Sequence, residues 1–192
     1  MARMSISEII KDARQVIRFS EEPIPREAIV ELLNDAVYAA KPNRGISEPW
    51  RFILLEGMEA KSRLVDIMLE VGAELGRYDT KKPRIKEQFA DMAMSVPSYL
   101  VVVMQEHPDQ TGWEDDFATT CCMIQNFSLL GWERGIGMTW LKDDDLCDSP
   151  QFREWMGIHP GERAVSILNL GYYEDVPKLK ERVPAAEKLT IL

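Results

Sequence analysis

Apolar residues near the N-terminus recur at helical spacing: Ile6, Ile9, Ile10, Ala13 and Ile17 fall three or four apart. Ser5-Ile6-Ser7-Glu8 has the form of a capping box, so the pattern predicts a first helix running to about Arg18. A second helix is predicted from Pro25, since proline suits a first turn, with Ile29, Leu32, Leu33, Ala36 and Ala40 on its apolar face and Pro42 as its stop. A polar loop from Lys41 to Pro49 then leads into a buried strand, Arg51 to Glu56. Lys61 to Gly76 is amphipathic, with Leu64, Ile67, Met68, Val71 and Leu75 on one side, and Arg77 to Met94 reads as loop then helix. Tyr99 to Gln105 is the clearest strand, set off by Pro97 and Pro108.

The second half opens with a long helix, Asp115 to Arg134, whose first turn is acidic, as the helix dipole favours. From Ala118 to Trp132 it is apolar almost all round, and such a helix must be covered on every side. In so small a chain a partner subunit is a natural cover. Gly135 is placed to end this helix. A strand at Met138 to Leu141, a short helix between Ser149-Pro150 and Gly157, and a strand at Ala164 to Leu170 complete the pattern. The last twenty residues carry Pro177 and Pro184 and little apolar content before Leu189, so they cannot fold on themselves. Strands and helices mix without strict βαβ alternation, which points to an α+β domain around a central sheet.

Composition narrows the function. The 192 residues suit a single domain, and 45% hydrophobic with 29% charged residues is ordinary for a globular chain. No apolar run approaches the ~20 residues of a membrane span, and the start lacks the apolar core of a signal peptide, so no membrane partner and a cytoplasmic location are expected. The cysteines, Cys121, Cys122 and Cys147, form no CxxC, which argues against a zinc or dithiol site. A net charge of −9 argues against nucleic acid as a partner and makes any cluster of cations informative. There is no GxGxxG, P-loop or GxSxG; His107 and His159 sit in short His-Pro segments, and Asp143-Asp144-Asp145 reads as a solvated acidic turn. No metal ligand set and no catalytic nucleophile is expected.

Three elements carry chemistry. Arg14 and Arg18, four apart at the end of the predicted first helix, share a face. Like charges at that spacing cost roughly 0.2–0.5 kcal/mol in an isolated helix, unless an anion lies between them. Cations also simply favour a helix C-terminus. Lys180 and Arg182 form a second basic pair, readable as a solvated loop or as the other half of an anion site. The loop Lys41-Pro42-Asn43-Arg44-Gly45-Ile46-Ser47-Glu48-Pro49 runs into Trp50-Arg51-Phe52, and it is either a plain connection or a source of hydrogen bonds to a heterocycle's edge.

Taken in order, these pieces resemble the nitroreductase family. Arg14-Gln15-Val16-Ile17-Arg18-Phe19 followed by Glu22-Pro23-Ile24-Pro25 is similar to the N-terminal RRSxRxF…PVP motif, with Gln15-Val16 standing where Arg-Ser is usual. The loop PNRGISEPWRF is similar to the family's APSxxNxQPWRF segment. Gln125-Asn126 with Gly135-Ile136-Gly137, Leu170-Gly171-Tyr172, and Lys180-Glu181-Arg182-Val183-Pro184 resemble the later motifs. The resemblance implies a nitroreductase-like fold with a mainly antiparallel sheet flanked by helices, an intertwined homodimer, and residues 173–192 as an extended arm on the partner. It implies FMN at the dimer interface. Its phosphate would be held by Arg14, Arg18, Lys180 and Arg182, with Gln15 and Val16 in the same motif, Asn43 and Arg44 near the ring edge, and Leu141, Lys142 and Asp143 approaching N5. The implied activity is ping-pong transfer of hydride from NAD(P)H through FMN to a nitroaromatic, quinone or similar small acceptor. Reductive dehalogenation, flavin fragmentation and non-catalytic flavin binding are the alternatives.

Overall fold

The computed structural model describes residues 4–38, 48–77, 83–179 and 181–192. Asn43, Arg44 and Lys180 therefore lie outside the described residues, as does the expected stop of the second helix at Pro42. The elements run α1 (Ile6–Asp12), α2 (Arg26–Ala36), β1 (Trp50–Leu55), α3 (Gly57–Glu74), α4 (Pro83–Met94), β2 (Ser98–Gln105), α5 (Gln110–Glu133), β3 (Ile136–Leu141), α6 (Asp144–Asp148), α7 (Pro150–Trp155) and β4 (Glu162–Tyr172), with a short 3-10 turn at Ala185–Lys188. The four strands form one sheet in the order β1-β2-β4-β3, and every neighbouring pair is antiparallel. The α+β architecture expected from the sequence is thus present.

The sheet separates two apolar layers. Leu100, Val102 and Met104 of β2 join Ile29 and Leu32 of α2 and Met123, Ile124 and Phe127 of α5. The alternate residues Tyr99, Val101 and Val103 join Leu64, Ile67, Met68 and Val71 of α3, Leu146 of α6 and Phe152 of α7. A strand covered on both faces has no polar alternation, which is why β2 reads as an unbroken apolar run. Between Val102 and Val103 the register with β4 shifts by one residue, from Ser166 to Ala164, leaving Val165 as a bulge. Among the described residues no helix is long and apolar enough to cross a membrane.

Several boundaries differ from the pattern. The capping box at Ser5 and Glu8 is formed, but α1 ends at Asp12 and Ala13 is already extended, at φ −61° and ψ 134°. Arg14 and Arg18 are therefore not on a helical face. The cause is tertiary: the chain after Ala13 pairs with the sheet, Val16 N–H donating to Met138 O at 3.1 Å and Ser20 N–H to Tyr172 O at 2.7 Å. Ile6, Ile10 and Ile17, which the spacing places on one buried stripe, are 76%, 56% and 69% exposed. Helix α2 stops at Ala36, once its inward residues Ile29, Leu32 and Ala36 are buried. Helix α5 starts earlier than predicted because Asp109 caps it, its side chain accepting from Gly112 N–H at 2.9 Å. The acidic triplet is not a solvated turn: Asp143 caps α6, and Asp144 and Asp145 form its first turn.

Candidate functional site

The edge strand β3 organises the site. Its outer edge receives the segment after α1 through a parallel bridge from Gln15 to Met138. From there the chain crosses the face of the sheet as a strap to reach the end of β4. Two glycines permit the crossing. Gly137 and Gly171 are register partners in β3 and β4. A Cβ on Gly137 would lie 2.6 Å from a Val16 methyl, and one on Gly171 would lie 2.6 Å from Phe19 Cβ. Neither glycine needs a positive φ, so the missing side chain itself is what the position requires. Two positions along, the register pair Thr139 and Asn169 lies on the same face, and Thr139 Oγ1 donates to Val16 O.

Arg14 sits at the strap's entrance with its side chain only 16% exposed. One guanidinium nitrogen, Nη1, donates to the Asp12 backbone carbonyl and to Asp12 Oδ1, the latter at 3.0 Å. Asp12 in turn accepts from Trp132 Nε1 at 3.1 Å, and Trp132 stacks on Tyr173 with ring centroids 4.6 Å apart. The Arg14 and Trp132 donors hold the Asp12 carboxyl below its ordinary range. Burial first, and the nearby Asp12 charge second, push the Tyr173 phenol up. Arg14 Nε is buried and has no partner, and the same is true of Ser20 Oγ and Asn169 Oδ1. Buried donors without partners are rare, and a guanidinium with its Nε side unspent suits an anionic acceptor. Arg18, further along the strap, is exposed and makes no hydrogen bond or ion pair among the described residues.

At the far end of β3 the strand runs from Leu141 into Lys142 and Asp143. Lys142 Nζ lies 3.5 Å from Asp144 Oδ2, and Arg163 Nη2 lies 3.6 Å from Asp144 Oδ1. Asp143 is gripped by Arg77 from the end of α3, with Nη1 to Oδ2 at 2.5 Å and Nη2 to Oδ1 at 3.0 Å. The same Nη2 donates to Asp145 Oδ2 at 2.7 Å. The Arg77 bonds, helped by the capped Leu146 N–H and opposed by burial, hold the Asp143 carboxyl below its ordinary value.

The structure therefore pairs Gln15 and Val16, with Arg14 just before them, with β3, which ends at Leu141 and leads into Lys142 and Asp143. It does not join Arg182 to them within one protomer: Arg182 is exposed on the tail and has no bonded partner among the described residues. Reading the sequence missed Asp12, Thr139 and Arg77. Asp12 and Thr139 carry no local signal, and Arg77 meets Asp143 across 66 residues of chain. Among the described residues no cluster of His, Cys, Asp or Glu could hold a metal ion.

A strap crossing the edge of a four-stranded antiparallel sheet, with the part-buried Arg14 at its entrance and an acidic helix start beyond the far end of the edge strand, is the architecture of an α+β protein. The chain belongs to the nitroreductase family, whose model matches residues 10–172. It is 33% identical over 185 residues to YfhC of Bacillus subtilis (strain 168), named provisionally as an NAD(P)H nitroreductase, covering 96% of this chain and 93% of that one. It is also similar to a nitroreductase-like family protein from Bacillus cereus, with a TM-score of 0.86, 35% identity, and coverage of 100% of this chain and 98% of the other. A point mutant of NfnB, an FMN and NADPH-dependent nitroreductase from a Sphingopyxis strain, shares the fold at a TM-score of 0.74 and 17% identity, covering 98% and 99% of the two chains.

Proposed function

We propose that this chain is a cytoplasmic, homodimeric FMN-dependent oxidoreductase that passes hydride from NAD(P)H to a small acceptor such as a nitroaromatic or a quinone. The observation that carries the reading is the strap. It ties Arg14, Gln15 and Val16 to a strand 123 residues later, next to the turn Leu141–Asp143. These are the two regions that the family pattern assigns to the phosphate and to the ring.

FMN, when bound, supplies the redox centre that receives hydride from NAD(P)H and gives it up to the acceptor. The chain supplies position and charge. Arg14 and Arg18 would hold the phosphate, with Lys180 and Arg182 of the tail as the other cations, in part from the second subunit. The unpartnered Nε of the buried Arg14 fits an anion there, which supports the assignment. By the family pattern Asn43 and Arg44 would serve the ring edge, and the backbone of Leu141, Lys142 and Asp143 its reactive side. No side chain serves as nucleophile. One pocket over the ring takes donor and acceptor in turn, so steady-state kinetics are ping-pong.

Two surfaces support the dimer. Past Tyr173 every described residue is exposed, Leu179 at 65%, Val183 at 56%, Leu189 at 67% and Ile191 at 85%. Apolar side chains spaced along an otherwise polar arm find cover on another surface. Between α1, α2 and α5 lies a groove of about 500 Å³ whose apolar lining, Ile6, Ile9, Leu129 and Leu130 among it, is edged by Asp35 and Glu133, a mix that a second copy can cover.

The test is the absorption spectrum of the purified protein, recorded before and after NAD(P)H without oxygen. A visible flavin band that NAD(P)H bleaches and a nitroaromatic or quinone restores is expected. A colourless protein that gains no flavin absorbance on adding FMN refutes the reading. Intersecting rather than parallel double-reciprocal lines would remove the shared pocket while leaving the cofactor assignment in place.

A further inference from the structure

The acidic triplet at the end of β3 poses an electrostatic problem. Asp143 is the last of the residues assigned to the reactive side of the flavin, and Asp144 and Asp145 follow it directly. Uncompensated carboxylates beside a ring that gains negative charge on reduction oppose that reduction. The fold answers with dedicated cations. Lys142 and Arg163 approach Asp144, while Arg77 alone takes both Asp143 and Asp145.

Arg77 is built for this. It follows the last turn of α3, where its backbone N–H donates to Gly72 O at 2.8 Å, so the side chain leaves from an anchored helix end. Its fork engages both oxygens of Asp143, a pairing that ammonium cannot copy. Asp143 Oδ1 also accepts from Leu146 N–H at 3.1 Å, and Asp143 O accepts from Cys147 N–H at 2.9 Å. One carboxylate thus joins the end of α3, the exit of β3 and the start of α6. Isolated surface pairs contribute little, but a bidentate pair within a network with a half-buried carboxylate is the exception. Asp143's side chain is only 19% exposed.

We propose that Arg77 is a positioning residue for the flavin: it fixes the turn Leu141–Asp143 and cancels the negative field of Asp143 and Asp145 at the ring. This inference rests on the flavin reading above. Without Arg77, the turn loosens and two carboxylates face the ring uncompensated. Binding weakens, and the bound flavin becomes harder to reduce.

The experiment compares wild type, Arg77→Gln, Arg77→Lys and Asp145→Asn, with Arg26→Gln as control. Arg26 also forms a short ion pair, with Glu56, but it is an exposed pair at the start of α2. Three quantities are measured: amide hydrogen exchange at Leu146 and Cys147 in the FMN-free protein, the FMN dissociation constant, and the two-electron midpoint potential of the bound flavin. In Arg77→Gln, exchange accelerates, FMN affinity falls about tenfold, and the reduction equilibrium shifts roughly tenfold, about 30 mV more negative. Arg77→Lys recovers the potential but not the affinity, because it keeps the charge and loses the fork. Asp145→Asn moves the potential slightly positive, and Arg26→Gln changes nothing. Faster exchange with unchanged affinity and potential overturns the proposal, leaving Arg77 a structural latch. Unchanged exchange, affinity and potential overturn it as well. Wild-type protein that binds no FMN overturns the flavin reading itself and this inference with it. If Arg77→Gln does not fold, the Lys and Asp145→Asn variants decide by FMN affinity and midpoint potential.

Discussion

Replacing Gly171 with alanine isolates the strap crossing. Carbon atoms in contact prefer about 3.5–4.0 Å. The new Cβ would lie 2.6 Å from Phe19 Cβ and 2.7 Å from Phe19 Cγ, so one of the two must move by roughly 1 Å. Phe19 Cβ is tied to the backbone, and the strap there is held by the Ser20 N–H bond to Tyr172 O. The strain cannot be relieved by a rotamer change alone. Overpacking of this kind costs about 1–3 kcal/mol. For a domain of this size that lowers Tm by roughly 2–4 °C per kcal/mol. If instead the strap lifts off, much of the strain is released, the Tm shift shrinks, and Arg14 and Arg18 lose their placement. FMN affinity then falls instead. Thermal denaturation followed by circular dichroism, together with FMN titration, separates the two outcomes. The pair is diagnostic: Phe19→Ala removes every clashing atom beyond Cβ, so the double variant should show a coupling of at least about 0.5 kcal/mol. A Gly171→Ala protein with wild-type Tm and wild-type FMN affinity would refute the crossing.

Single groups give three more tests. Arg51, and to a lesser degree His159 N–H, pull the Glu162 carboxyl down from 4.5 to about 2, against the cost of burial. The folded value lies below the unfolded one, so the stabilisation is complete above about pH 4.5 and is lost as the pH falls towards 2. Urea denaturation across that window should show a steeper loss for wild type than for Glu162→Gln. Burial pushes the Cys147 thiol up to about 12, so in the native protein it should resist a thiol reagent and label only on unfolding. If the proposed dimer forms through the arm, the full chain should run as a dimer on size-exclusion chromatography with light scattering and a chain lacking residues 176–192 as a monomer; a dimer that survives the truncation would show that the arm does not hold the subunits together.

How much of the fold is legible in the sequence depends on how local its cause is. The run Tyr99 to Gln105 betrays a strand because burial on both faces removes every polar residue from Leu100 to Met104. The capping box at Ser5 and Glu8 is equally local, and it forms. The segment after Asp12 is not legible. Ala13 and Ile17 continue the helical spacing, yet the open edge of β3 offers hydrogen bonds and Gly137 offers room for Val16, and together these outweigh helix continuation. The acidic triplet misleads for the same reason: the guanidinium that makes Asp143 a structural residue comes from another element. For the site, the motif at Arg14 to Val16 and the turn after β3 both stand out in the sequence. The spatial link between them does not, because Gln15 and Met138 meet only through tertiary pairing.

The strap also accounts for a departure in the N-terminal motif. Where the family pattern has Arg-Ser, this chain has Gln15-Val16. Had those two side chains fixed the segment, their loss would leave Arg14 and Arg18 unplaced. The geometry assigns that task elsewhere. Main-chain bonds anchor both ends of the crossing, Val16 N–H to Met138 O and Ser20 N–H to Tyr172 O, and main-chain bonds do not depend on side-chain identity. Val16 is 1% exposed and fills the space over Gly137, so it contributes apolar burial where a serine would contribute a hydroxyl. Burying a valine side chain is worth about 1.5–3 kcal/mol, more than the ~1 kcal/mol of a typical net hydrogen bond. The substitution therefore exchanges a polar contact for a firmer seat on the sheet. Val16→Ser should loosen the strap rather than restore it, so a Val16→Ser protein that melts no lower than wild type and binds FMN more tightly would contradict this account.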